Sequence, residues 1–107
     1  SYISIDFLEH KVSVAGYALR TYHGNADWRH LKSWVLEGSN GMGWKEIHSV
    51  KRSSKLNGPQ KVAAFKCLKA GAQQNFYQTI RLRLTDKNFY GDYFLNLSGI
   101  ELFGILD

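Results

Sequence analysis

Cysteine occurs once in the 107 residues, as Cys67. No disulfide can form within the chain, so a domain of this size must hold together by packing, and a reducing, cytoplasmic (intracellular) setting is expected. Cys67 lies in the strand-like run "VAAFKCLKAG" and reads as a buried or half-buried structural thiol. No stretch of eighteen apolar residues exists, which excludes a helical membrane span. No signal peptide is visible, although the chain opens inside a strand-like run and its N-terminus is expected to be trimmed. No window repeats apolar residues at helical spacing for ten positions, so helix is not expected. One proline, Pro59, sits in the polar connection "KRSSKLNGPQ".

Catalytic and metal-binding patterns are missing too. The four histidines, His10, His23, His30 and His48, form no HExxH and meet no cysteine pair at metal spacing. His23 and His30 lie seven apart across a loop, without a third ligand to complete a zinc site. No GxSxG elbow, P-loop or dinucleotide fingerprint occurs. "GSNGMG" reads as a hairpin turn, since no helix follows it. The carboxylates are scattered, and "NAD" and "TDKN" are not a dedicated calcium pattern. The expectation is a protein that is not an enzyme and has no metal site or cofactor.

What is present is material for one β-rich domain, residues 1–107. Hydrophobic residues make up 44% and aromatics 14%, enough for a packed core. "YISIDFLE" and "KVSVAGYALRTY" read as strands through Ile3, Ile5, Phe7, Val12, Val14 and Leu19. "LKSWVLEGS" and "NGMGWKEIHSV" read as a hairpin about Asn40-Gly41, with Trp34 and Trp44 on opposite arms, where a cross-strand aromatic pair is worth roughly 0.2–1 kcal/mol. "KVAAFKCL" is a modest strand. "YQTIRLRLT" alternates cleanly, with Ile80, Leu82 and Leu84 on one side and Arg81 and Arg83 on the other. "FLNLSGIELFG" closes the set, broken near Ser98-Gly99. About seven short strands call for a sandwich to bury their apolar faces.

The ordered segments "IDFLEHKVSVAGYALRTY", "LKSWVLEGSNGMGWKEI" and "YQTIRLRLTDKNFYGDYFLNLSGIELFG" resemble successive pieces of the discoidin, or coagulation factor 5/8 type C, domain. The resemblance spans nearly the whole chain. It implies a jelly-roll β-sandwich of the galactose-binding-like superfold, similar to the intracellular branch found beside BTB or ubiquitin-ligase-associated domains. Two departures stand out. The sequence starts at the family's "W..IDFG" strand, so the family's N-terminal segment, which contributes to the binding end, is expected to be missing from it, and "LEH" replaces the usual glycine turn after the first strand.

Two loops are richer than spacers require: "RTYHGNADWRH" and "TDKNFYGDY". The resemblance implies that loops at these positions converge at the ligand end. Their rings and polar groups suit a sugar, a peptide or a phosphorylated group. The candidate ligand-binding residues are Tyr22, His23, Asn25, Trp28, Arg29, Lys87, Asn88, Tyr90, Asp92 and Tyr93. Trp28 either meets ligand or caps the core, Arg29 serves ligand or solubility, and one of Tyr90 and Tyr93 is expected to pack inward. Arg20 is expected to make an ion pair with an acidic loop residue.

A secondary basic face is formed by Arg81 and Arg83, expected beside Lys66 or Lys69 and read mainly as solvated surface. Lysine and arginine exceed aspartate and glutamate by 14 to 9. That excess is spread along the chain apart from "VKRSSK", too sparsely for a nucleic-acid groove. One tryptophan flanked by basic residues makes a marginal lipid anchor, so no membrane partner is expected.

The sequence therefore leads to a non-catalytic recognition module in a larger intracellular protein, binding a protein or peptide. The alternatives are a carbohydrate-binding module, or a structural domain that packs against other domains of its parent chain.

Overall fold

The structure is a computed structural model that describes residues 2–21, 30–58, 60–67, 74–91, 93, 95 and 97–107. Among these residues seven strands run in chain order: β1 (Tyr2–Asp6), β2 (Val12–Arg20), β3 (Trp34–Ser39), β4 (Trp44–Val50), β5 (Val62–Lys66), β6 (Thr79–Leu84) and β7 (Gly99–Leu106). All pairings are antiparallel. They build a four-stranded sheet in the order β1-β6-β3-β4 and a three-stranded sheet in the order β5-β2-β7. No helix among the described residues is long and apolar enough to cross a membrane. The expected all-β sandwich is what the chain forms.

Alternation decides which side chains enter the space between the sheets. On β6, Ile80, Leu82 and Leu84 are buried while Arg81 and Arg83 face outward. β2 begins with Val12 and Val14 inward, but its register against β7 slips between Val14 and Gly16. The extra residue reverses the phase, so Tyr17 and Leu19 become the inward pair, both fully buried. Without that bulge the tyrosine would face water.

Tyr17 ties the two sheets together. Its hydroxyl oxygen accepts the indole N–H of Trp34 at 2.9 Å and lies 2.7 Å from His48 Nδ1. The hydroxyl oxygen has a second lone pair and one hydrogen, so the direction of the Tyr17–His48 bond is set by the imidazole tautomer. Phe65 stacks on the tyrosine ring at 5.1 Å and meets the Trp34 ring edge-on at 5.5 Å. Burial pushes the Tyr17 phenol well above its usual pKa and the His48 imidazole below its own.

Two expectations about neighbours need correction. Trp34 pairs with Val50 and Trp44 with Ser39, so the two tryptophans sit at opposite ends of the hairpin ladder. Trp34 is buried in the core, whereas Trp44 is 40% exposed on the outer face. β6 lies between β1 and β3, which puts Lys66 of β5 in the other sheet, not beside Arg81 and Arg83. Lys69 lies outside the described residues.

Candidate functional site

Antiparallel pairing gathers three of the four longest connections at one end of the sandwich. The last residue of β2, Arg20, pairs with Val62 and Gly99, the first residues of β5 and β7. Trp34, which opens β3, pairs with the ends of β4 and β6 at Val50 and Leu84. The segments 21–33, 51–61 and 85–98 therefore emerge together. Hydrogen bonds stitch them: Phe89 N–H to His30 O (3.1 Å), Ser53 N–H to Lys32 O (2.9 Å), and Arg52 N–H to Ser33 Oγ (2.9 Å). Thr21 Oγ1 donates to Gly58 O and accepts from Lys61 N–H, while Ser98 Oγ donates to Thr21 O at 2.8 Å. Leu31 and Leu56 each send a fully buried side chain back into the core, so two of these loops are anchored from beneath.

Of the candidates, Tyr22, His23, Asn25, Trp28, Arg29 and Asp92 lie outside the described residues. Lys87 is exposed at this end, and so are both tyrosines, Tyr90 at 59% and Tyr93 at 51%, where one was expected to pack inward. Asn88 is buried, and its Oδ1 accepts the N–H groups of Tyr90 and Gly91, each at 3.0 Å. Its amide shapes the turn that lifts Tyr90 outward instead of facing solvent. Phe89 is half-covered by the Lys32 ammonium, 5.5 Å from its ring centre. At the rim of the first loop, His30 is buried with Nδ1 unpartnered.

The junction of the three connections is concave. A cleft of about 450 Å³ is lined by Arg20, Thr21, Gln60, Val62 and Ser98, a size that accommodates a small ligand. Val62, 57% exposed, supplies an apolar wall, and Gln60 and Ser98 supply polar groups. Arg20 makes no ion pair among the described residues; Asp27 and Asp92, acidic loop residues of the kind expected to pair with it, lie outside them. Sequence reading missed Arg20, Gln60 and the whole 51–61 segment as site components; "VKRSSK" was visible as a basic run, but its neighbours were not.

Folding also redistributes the charge that looks diffuse along the sequence. Arg20 and the three connections contain eight of the chain's Lys and Arg residues and three of its Asp and Glu residues. The described residues elsewhere hold five Lys and Arg against six Asp and Glu, so among the described residues the positive excess belongs to one end. Among the described residues of that end, seven cations face a single carboxylate, Asp86.

Arg81 and Arg83 are not a free basic face. Both donate to Glu37 Oε1 from Nε, at 2.8 and 2.9 Å, and Arg81 adds an Nη2 contact at 2.6 Å. Glu37 is only 5% exposed. Burial alone would raise its pKa, but the two guanidinium donors outweigh that and hold it below the usual carboxylate range. Arg81 also lies 3.9 Å from the centre of the Trp44 ring, so this outer face is a pre-packed surface on which Glu37 offsets one of the two arginine charges. Beside it runs a trough of about 470 Å³ bordered by Trp44, Glu46, Ser49, Lys51 and Arg83. Cys67 is half-buried away from these features, and burial pushes its thiol up to about 11. No group of three His, Cys, Asp or Glu side chains comes together among the described residues.

No protein-family profile matches the sequence, and no curated protein matches it significantly. The structure is similar to that of CpGH89CBM32-6, a family 32 carbohydrate-binding module produced by Clostridium perfringens. The TM-score is 0.55 at 14% sequence identity, over 96% of this chain and 68% of that one. At that identity the likeness establishes the fold: the chain is a galactose-binding-like β-sandwich.

Proposed function

We propose that this chain is a non-catalytic recognition domain that binds carbohydrate at its three-loop end. The observation that carries the reading is the cleft where the three connections meet, with Arg20, Gln60 and Ser98 around an exposed valine and two exposed tyrosines nearby. Flat rings offer apolar area to the faces of a sugar, and directional donors fix its hydroxyls. The fold shared with a carbohydrate-binding module supports the choice of ligand class. The ordered motifs similar to discoidin domains belong to the same reading, as does a place within a larger intracellular protein, for which the single cysteine speaks.

A second reading, protein or peptide binding, is favoured by the edge strand β7. Its Phe103, Ile105 and Leu106 are 49–58% exposed, and an open edge can accept an added strand. Calorimetric titration with neutral and acidic oligosaccharides tests the proposal. The expected result is binding of at least one sugar that Tyr90→Ala or Tyr93→Ala weakens by about fivefold or more, corresponding to about 1 kcal/mol. Binding unaffected by either substitution and by Arg20→Gln would overturn the loop-end assignment.

A further inference from the structure

Resting on that reading, we infer that the preferred ligand is an acidic polysaccharide, one bearing carboxylate or sulfate groups. Among the described residues the charge excess lies at the loop end, around the cleft that holds Arg20. Clustering of this kind raises the local concentration of anions and speeds their capture, and it costs stability through self-repulsion. Arg20, Lys51, Arg52 and Lys87 are exposed there and make no ion pair among the described residues. The contrast with Arg81 and Arg83 is instructive: where this fold uses arginines structurally, it supplies a buried glutamate for them.

Arg52 adds an independent sign. Its backbone is left-handed, with φ of 52°, held by the bond from its N–H to Ser33 Oγ. That conformation is unfavourable for an L-residue, and glycine would adopt it freely. Gln60, which lines the cleft, has φ of 54°. Two long polar side chains thus stand in the same loop where glycine would relieve strain, as expected if the side chains themselves have a use.

An anionic membrane is a weaker fit. Among the described residues, the exposed rings of this end are Tyr90, Tyr93 and the half-covered Phe89, without the exposed leucine, isoleucine or methionine that would enter acyl chains. The polar rims of the two tyrosines suit a hydroxyl-rich polymer better. From Lys51 the trough on the outer face continues the site past Arg83, so a polymer has more surface to occupy than a single sugar does.

The test uses the whole chain, immobilised heparin and polygalacturonate as anionic probes, and neutral galactan, phosphatidylserine vesicles and single-stranded DNA as comparators. Three variants are compared: wild type, Arg20→Gln/Lys51→Gln/Arg52→Gln, and the charge-matched Lys11→Gln/Lys45→Gln/Lys66→Gln. The expected result is binding to one of the two anionic polysaccharides that exceeds galactan and weakens as salt rises from 50 to 500 mM, in line with the shrinking Debye length. The loop-end variant is expected to lose about tenfold or more in affinity and the charge-matched variant less than about twofold. Equal loss in both variants would show a net-charge effect and overturn the site. Galactan bound as tightly as the acidic polymers would overturn the charge selectivity while leaving carbohydrate recognition standing. Stronger binding to vesicles or DNA than to either polysaccharide would overturn the ligand class, and silence to every carbohydrate would overturn the proposed function with it.

Discussion

Replacing Tyr17 by phenylalanine isolates one hydroxyl in the middle of the sandwich. The phenyl ring keeps the stacking on Phe65 at 5.1 Å, so packing changes little. The loss falls on Trp34, whose indole N–H donates to Tyr17 OH from a fully buried position and has no water to turn to. A buried donor left without an acceptor costs about 1–3 kcal/mol, whereas His48, half-buried at the sheet rim, can turn to solvent and adds little. The expected destabilisation is about 2 kcal/mol, or a drop in Tm of about 8 °C for a domain of this size. Urea unfolding should show a lower midpoint at an unchanged m-value. The Trp34→Phe change, made alone and with Tyr17→Phe, completes a double-mutant cycle whose coupling should exceed about 0.5 kcal/mol. A Tyr17→Phe loss below about 0.5 kcal/mol, or additive effects, would refute the account of how the sheets are joined.

Three further outcomes follow from the same geometry. Because burial depresses the His48 pKa, the unfolded chain binds more protons than the folded one once pH falls below about 6.5; stability is full above that pH, declines as pH drops through the folded pKa, and loses this dependence in His48→Phe, as urea titrations between pH 8 and 5 will show. Gly38→Ala would put a Cβ into the ring of Tyr77, 2.6 Å from Cδ2, and should cost about 1–3 kcal/mol by thermal melting, relieved in part by Tyr77→Leu. Glu37→Gln leaves two guanidinium groups around one neutral amide; with Arg83 42% exposed, water takes up part of the loss, and about 1–2 kcal/mol is expected, with a change in tryptophan fluorescence as Arg81 shifts over Trp44.

Much of the fold was legible because strand periodicity is local. β6 shows its faces in six residues, and Asn40-Gly41 marks the hairpin directly. Pairing partners are not local, which is why Arg81 and Arg83 seemed to neighbour Lys66 when their partner is Glu37 of β3, more than forty positions away. The bulge after Val14 shifts the phase of β2 without any change in its apolar pattern, so Tyr17 gave no sign of its core role. Asn88 looked like a ligand donor because its residue type serves turns and ligands equally; only its burial separates the two. The charge asymmetry was invisible for the same reason as the pairing: residues 20, 51, 52 and 87 meet only after both sheets close.

Amide chemical-shift mapping during titration of the wild-type chain with a short heparin fragment tests the loop-end surface most directly. Perturbations are predicted to cluster at Arg20–Thr21, His30–Lys32, Lys51–Lys55 and Lys87–Gly91, with the outer face of the three-stranded sheet unmoved. Shifts concentrated on β7, or spread evenly over lysines at both ends, would contradict the account.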